Sequence, residues 1–327
     1  MKYVGFEAPG DPSVLRVFDA PVPQPSAGEV LIAVEAAGVS RADTLQRRGL
    51  YPPPAGHSPI LGLEVAGVVT ALGAGVSSFE VGERVCALCN GGGYAERTVV
   101  PEGNVLRLPE NWSSVEGATL PENAFTAYDN IVTRAGLEPG DTLLIHGGTS
   151  GLGTIAIGIA RALGARVFIT AGSDRKCARA LHLGAHRAIN YKTMDFVSST
   201  LAYTNGRGVD IVLDLVGGDY VARDLEALAP EGRIVVVATM GGSSVTLDLA
   251  TLLRKRARII GSSLRARSNA EKAQIAVDLQ AAIWPLLSAR DPIAPVVDSV
   301  FTFSEASRAH ERIESSEHIG KIVLVPA

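Results

Sequence analysis

The rhythm of apolar and polar positions changes once along this chain, near residue 122. Before that point the runs are short and Val-rich: Glu29 to Ala36, Val65 to Ala71, Gly82 to Leu88. Turn residues (Ser26-Ala27-Gly28, Gly73-Ala74-Gly75) recur between them at close spacing, which predicts a compact β domain. From residue 123 apolar runs alternate with helical patterns. Thr142–His146 precedes Leu152–Leu163, Arg166–Thr170 precedes Arg175–Leu183, and then come Ala188–Asn190, Val209–Leu215, Gly232–Ala238 and Ala257–Ser262. Buried runs of this kind separated by helices predict a doubly wound parallel sheet. A helical stretch from Asn269 to Ser288 leads to a last strand-like run, Lys321 to Val325. That run has no neighbour of its own and is expected to return to the first domain. The organisation read from the chain is therefore α/β, with a domain over residues 1–122, a second over 123–265, and a return to the first over 266–327. No internal repeat or low-complexity linker occurs, so the two domains are expected to be closely apposed.

The sharpest local pattern opens the second domain. Thr142–His146 runs into Gly147-Gly148-Thr149-Ser150-Gly151-Leu152-Gly153 and then a helix. Strand, glycine-rich turn and helix in that order form a dinucleotide cradle, because glycines let the backbone approach a pyrophosphate and the helix N-terminus offers free N–H groups. G-x-G-x-x-G maps onto Gly148, Ser150 and Gly153, with a small hydroxyl residue in place of the middle glycine. An NAD-specific chain places an acid at the end of the second strand for the ribose 2′-OH. Here Gly172 occupies that place, followed by Ser173, Asp174, Arg175 and Lys176. A 2′-phosphate would be held by Ser173, Lys176 and Arg175 through charge-assisted bonds, so NADPH is the expected cofactor. Asp174 opposes this reading unless it merely starts the next helix.

Composition narrows the class. With 327 residues and 46% apolar content, two cores are affordable; 30 basic against 34 acidic residues give no field for nucleic acid or an anionic membrane. The most apolar stretch, Thr154 to Ala171, carries Arg161 and Arg166, so no membrane span is expected. Three cysteines are too few for a disulfide framework; with no apolar signal-peptide core at the N-terminus, they point to the cytoplasm.

Two further segments carry a family resemblance. Gly38-Val39-Ser40-Arg41-Ala42-Asp43 and Leu61-Gly62-Leu63-Glu64-Val65-Ala66-Gly67 resemble signatures of the medium-chain dehydrogenase/reductase superfamily, whose zinc alcohol dehydrogenases supply a metal-binding Cys and His there. Ser40 and Leu63 stand in those places and cannot replace a thiolate and an imidazole. No metal site is expected. The run from His146 to Gly153, with Thr170-Ala171-Gly172-Ser173, Ala188-Ile189-Asn190-Tyr191, Gly49-Leu50-Tyr51-Pro52-Pro53-Pro54, Gly91-Gly92-Gly93-Tyr94-Ala95-Glu96 and Ile319-Gly320-Lys321-Ile322-Val323-Leu324, is similar to the NADPH:quinone oxidoreductase family, in its p53-inducible and ζ-crystallin-like branch. The resemblance covers nearly the whole chain. It implies a discontinuous GroES-like catalytic domain around a Rossmann domain, with NADPH in the cleft between them and a homodimer formed through the edge of the Rossmann sheet. It also implies that Tyr51 lies by the nicotinamide and, with Ser40, serves catalysis. Lys176 and Tyr191 would meet the 2′-phosphate, and Thr126, Gly148, Ser150, Gly151, Leu152, Gly153, Ser173, Val216 and Lys321 would complete the cofactor site. Most relatives carry Asn at the position of Ser40, and some a second Tyr at Leu45, so the polar grip on the substrate is thinner here.

The activity implied is zinc-independent reduction of a quinone, with reduction of an enone double bond as the alternative. A binding protein with little turnover, holding NADPH or RNA, is the alternative from another class. Other conspicuous residues read as structural. Cys86 and Cys89 spell C-x-x-C without a second pair. His182 and His186 have helical spacing, but Gly184 between them ends the helix. Arg254, Lys255, Arg256 and Arg258 read as a solvated helix end, with RNA as the rival reading. Asp43 reads as a loop anchor, with a polarised water as the rival.

Overall fold

The Val-rich runs of the N-terminal part become strands β1 (Lys2–Gly5), β2 (Arg16–Asp19), β3 (Glu29–Val39), β4 (Glu64–Leu72), β5 (Arg84–Leu88), β6 (Arg97–Pro101) and β7 (Val105–Arg107), with short helices α1 (Arg41–Arg47), α2 (Ser114–Gly117) and α3 (Pro121–Ala127). The alternating region follows as β8 (Thr142–Ile145), α4 (Gly151–Ala162), β9 (Arg166–Ala171), α5 (Asp174–His182), β10 (Arg187–Asn190), α6 (Phe196–Tyr203), β11 (Val209–Asp214), α7 (Tyr220–Ala227), β12 (Leu228–Val236), α8 (Leu249–Lys255) and β13 (Arg258–Gly261). The chain closes with α9 (Asn269–Ala282), α10 (Trp284–Leu287), β14 (Val297–Thr302), α11 (Ala306–Glu314) and β15 (Lys321–Val325). This computed structural model describes every residue except 288, 290, 292 and 327, so the last residue of the helical stretch expected to end at Ser288 lies outside the described residues.

The chain divides into two units. One comprises Met1–Phe125, Arg265–Ser288 and Pro295–Ala327; the other comprises Thr126–Leu264 and Ala289–Ala294. The sequence had assigned the last of these segments to the C-terminal return.

The first unit is built on a seven-stranded sheet in the order β14-β15-β3-β4-β5-β7, with β6 also paired to β3. Alternate side chains of β3 and β4, among them Val30, Ile32, Val34, Val65 and Val69, enter one core with Val85, Ile322 and Leu324. Burying each such side chain contributes roughly 1.5–3 kcal/mol. The terminal run does return here: β15 lies antiparallel to the end of β3, with Ile322 opposite Val39 and Val323 opposite Gly38. That pairing brings Lys321 beside Ser40.

The second unit is a six-stranded parallel sheet in the order β10-β9-β8-β11-β12-β13. All four residues of β8 and all six of β11 are buried, as strands covered on both faces must be. Because the strands are parallel, the loops after β8, β9, β10 and β11 all emerge at one edge, where open α/β sheets bind ligands. His146 ties that edge together. It is fully buried, with Nε2 2.7 Å from Asp224 Oδ1 and Nδ1 3.0 Å from Thr170 Oγ1.

Candidate active site

In the second unit, the turn after β8 has the geometry of a phosphate cradle. Gly147 has φ +66°, in the left-handed region that favours glycine. A Cβ on Gly148 would stand 2.4 Å from Ile169 Cβ, and one on Gly153 would stand 2.5 Å from Gly147 O. Gly148 therefore makes room for the Ile169 side chain and Gly153 for the backbone of the turn. Ser150 caps α4, its Oγ accepting from Gly153 N at 3.0 Å, which leaves Gly151 and Leu152 in the first turn with their N–H groups at the positive end of the helix.

The neighbouring loops complete this edge. Ser173 caps α5 by accepting from Lys176 N at 3.3 Å. Asp174 starts that helix and accepts from Asn190 Nδ2 at 2.7 Å, so its carboxylate is tied to the end of β10. Tyr191 follows β10, and a Cβ on Gly172 would stand 2.6 Å from its hydroxyl oxygen. The place where an acid would meet a ribose is thus taken by a phenol. After β11, Asp214 is fully buried and accepts from Val216 N and Gly217 N at 2.6 and 3.0 Å, fixing the turn that carries Val216. Thr126 has a buried Oγ1 with no hydrogen-bond partner, an orphaned hydroxyl of the kind a ligand satisfies. These groups fit a dinucleotide.

The first unit holds a buried polar cluster around Ser40. Lys321 Nζ lies 2.5 Å from Glu64 Oε1 and donates to Ser40 Oγ at 3.2 Å. The resemblance had placed Lys321 in the cofactor site; here its ammonium is spent on Glu64 and Ser40. Glu64 Oε2 accepts from Glu122 N at 3.0 Å. Gly38 makes room for this, since a Cβ there would stand 2.4 Å from Glu64 Oε1. Burial pushes the Glu64 carboxyl up to about 7 against the pull of Lys321, and raises Glu122 as well. Lys321 is raised: the carboxylates of Glu64 and Glu122 outweigh the burial that opposes its charge.

Asp43 anchors the loop, in agreement with its structural reading. It is 1% exposed and accepts from Ser40 N at 2.8 Å, Gly62 N at 3.0 Å and the Tyr94 hydroxyl at 3.2 Å. The chain of contacts continues from Tyr94 to His310 Nε2 at 3.2 Å, and from His310 Nδ1 to Arg47 at 3.0 Å.

Two cations missed in the sequence stand close by. Arg265 places its guanidinium 4.9 Å from the Tyr51 ring centroid, donates to Tyr51 O at 3.2 Å and reaches Gln46 Oε1 at 2.5 Å. Lys272 donates to Asn90 Oδ1 at 2.8 Å and Arg265 O at 3.2 Å, and burial pushes its ammonium down to about 8. Nothing in the local sequence distinguishes Arg265 from the exposed arginines around it.

The remaining conspicuous residues are structural. Cys86 and Cys89 are buried thiols raised by burial, α5 ends at His182 before Gly184 at φ +99°, and Lys255 Nζ donates to Glu226 O and Leu228 O at 2.6 Å.

Two family models match the chain: an alcohol dehydrogenase GroES-like domain over residues 26–110 and a zinc-binding dehydrogenase domain over 151–281. The quinone oxidoreductase of Rattus norvegicus is 34% identical over 324 residues, 97% of this chain and 95% of that protein. This chain belongs to the quinone oxidoreductase family. Among solved structures, Escherichia coli quinone oxidoreductase complexed with NADPH shares 29% identity at a TM-score of 0.85, each chain covered in full. An NAD-dependent alcohol dehydrogenase shares 32% at 0.87, again with full coverage of both. Fold alone therefore does not choose the cofactor within this group, and the local residues must.

The zinc named in one of these models does not fit the positions of Ser40 and Leu63. Leu63 is buried and offers no donor atom, while Ser40 Oγ already faces the Lys321 ammonium, which repels a second cation. Among the described residues no group of three His, Cys, Asp or Glu could hold a metal ion, and no helix is long and apolar enough to cross a membrane.

Proposed function

We propose that this protein is a zinc-independent NADPH:quinone oxidoreductase. The observation that carries the reading is that the chain has a glycine-rich dinucleotide cradle but carries Ser40 and Leu63 in place of zinc ligands, with the buried Lys321 donating to Ser40. Without a Lewis acid, an unactivated carbonyl is too poor an acceptor, and an electron-poor quinone is the fitting partner.

In this reading, Gly148 and Gly153 admit the pyrophosphate and the amides of Gly151 and Leu152 receive it. Ser173, Lys176 and Tyr191 would hold the 2′-phosphate, and Thr126 and Val216 would flank the rest of the cofactor. Bound there, the reduced nicotinamide supplies a hydride. Tyr51, held by Arg265, orients the oxygen of the acceptor, and Lys321 serves Ser40. NADPH oxidation against a panel of quinones, enones and simple aldehydes tests this. Turnover with quinones at rates far above the aldehydes supports the assignment; oxidation with aldehydes alone, or with no acceptor, overturns it.

The working form in this reading is a cytoplasmic homodimer. β13 ends the sheet order and pairs with β12, and Ile259 on β13 is 38% exposed, with Leu249 and Leu253 on the preceding helix α8 more exposed still. A strand edge of this kind invites a second copy, which closes the sheet across a twofold.

A further inference from the structure

The polar side chains that end on Asp43 form one continuous chain of hydrogen bonds, and chemistry fixes its direction. Arg47 carries donors and no acceptor, so the nitrogen it meets on His310, Nδ1 at 3.0 Å, is the unprotonated one. The imidazole then carries its proton on Nε2. Burial, reinforced by Arg47, keeps the ring from taking a second proton. Nε2–H therefore donates to the Tyr94 oxygen at 3.2 Å, which leaves the Tyr94 proton for Asp43 Oδ2, also at 3.2 Å. The same carboxylate accepts from Ser40 N at 2.8 Å and from Gly62 N at 3.0 Å. At the far end Arg47 is itself anchored, by Gly10 O at 3.0 Å and Glu314 Oε1 at 2.7 Å. Tyr94 and His310 are fully buried and Asp43 is 1% exposed, so bulk water cannot stand in for a lost link.

We infer that His310 is a positioning residue for Ser40: through Tyr94 and Asp43 it fixes the backbone that presents the Ser40 hydroxyl to the acceptor. That Ser40 faces the acceptor rests on the quinone reductase reading above; the chain of bonds stands on its distances. Asp43 joins two segments, since Gly62 immediately precedes Leu63 and Ser40 opens α1. A Cβ on Gly62 would stand 2.6 Å from Tyr94 N, so the segment that carries Tyr94 packs directly against that turn. Ser40 is thus held twice, by Asp43 at its backbone nitrogen and by Lys321 at its hydroxyl. Removing the Tyr94 hydroxyl or the His310 ring releases the first of these holds and leaves the second in place.

Nitrogen-15 NMR of the native protein labelled at histidine tests the bond directions without any substrate, the His310 signals being assigned by their loss in His310→Gln. His310 should show a protonated Nε2 and an unprotonated Nδ1, unchanged between about pH 5 and 8, where an ordinary histidine titrates. A proton on Nδ1, or titration in that range, overturns the inference. Steady-state kinetics with NADPH and a benzoquinone tests the consequence. Tyr94→Phe keeps the ring and breaks the chain, so kcat should fall roughly 10- to 100-fold, the scale of a displaced reacting group, with NADPH affinity retained. His310→Leu should lose as much, and the double variant no more. His310→Gln keeps a donor near the place of Nε2 and should recover most of the loss. A packing role predicts the reverse order, because leucine keeps the apolar fill and glutamine brings an amide into it. Native rates in His310→Leu, or additive losses in the double variant, therefore overturn the inference. Amide hydrogen exchange at Ser40 and Gly62, measured without cofactor or acceptor, separates this failure from failure of the quinone reading. Faster exchange in Tyr94→Phe than in the native protein supports the positioning whatever the acceptor, and unchanged exchange rejects it.

Discussion

The hydroxyl of Tyr191 lies so close over Gly172 that a Cβ on that glycine would stand 2.6 Å from it. A residue ending one strand is thereby fitted to a residue following the next, at the place where NAD-binding folds set an acid for the ribose 2′-OH. An aspartate at 172 would displace the phenol and repel a 2′-phosphate.

Cofactor preference should therefore respond to two substitutions in the same direction. Lys176→Ala is expected to weaken NADPH binding by about 1–3 kcal/mol, the scale of a charge-assisted hydrogen bond, with little change for NADH. Gly172→Asp should weaken NADPH further while improving NADH. Fluorescence titration of both variants with both nucleotides measures this, and equal losses for the two cofactors would contradict the assignment.

Metal independence is the prediction drawn from Ser40, Leu63 and Lys321. Exhaustive chelation is expected to leave quinone reduction unchanged, and elemental analysis to find no stoichiometric zinc. Activity that returned only on adding zinc would be incompatible with an ammonium at the centre of this cluster.

Assembly should depend on β13. Ile260→Pro removes a ladder donor and restricts the strand, so it should convert dimers to monomers or aggregates. Static light scattering reads the outcome. A native chain that remained a monomer at every concentration would rule out pairing through this edge.

His310 predicts a pH dependence of stability. Burial, reinforced by Arg47, pushes its imidazole down to about 3, so it is neutral in the folded state. In the unfolded chain it binds a proton below its ordinary value of about 6.5. The unfolded state thus holds more protons between those values, and stability should fall as pH drops through that window, by about 1.4 kcal/mol per unit from this group. Above the ordinary histidine value the contribution is flat. His310→Gln should melt with a shallower acid slope than the native chain; an unchanged slope below neutrality would assign the acid loss to other groups.

Much of this protein was legible from local pattern, because the relevant physics is local. Runs buried on both faces must be continuously apolar, so β8, β9 and β11 could be read from Leu143, Phe168 and Val212 and their neighbours. A chain turning sharply under a helix N-terminus needs glycine, so Gly147, Gly148 and Gly153 announced the cradle. Ser40 and Leu63 could be seen to differ from the Cys and His of zinc relatives by side-chain chemistry alone. The strands β1, β2, β6, β7 and β14 were not foreseen: they are short, and only their pairing marks them as strands.

What only the tertiary structure decided is which polar residues meet. Lys321 and Ser40 are far apart in the chain and adjoin because β15 pairs antiparallel with the end of β3. Glu64 could be buried there because Gly38 has no side chain to occupy the space. Arg265 rests on Tyr51, and Arg47 reaches His310, through contacts between distant segments that no periodicity encodes. Burial of a charged residue is tolerated only where partners arrive from elsewhere in the fold. The sequence alone determined the glycine-rich turn between β8 and α4 and the residue types at positions 40 and 63; the tertiary structure decided which charges stand around Ser40, because that depends on strand pairing rather than on neighbours along the chain.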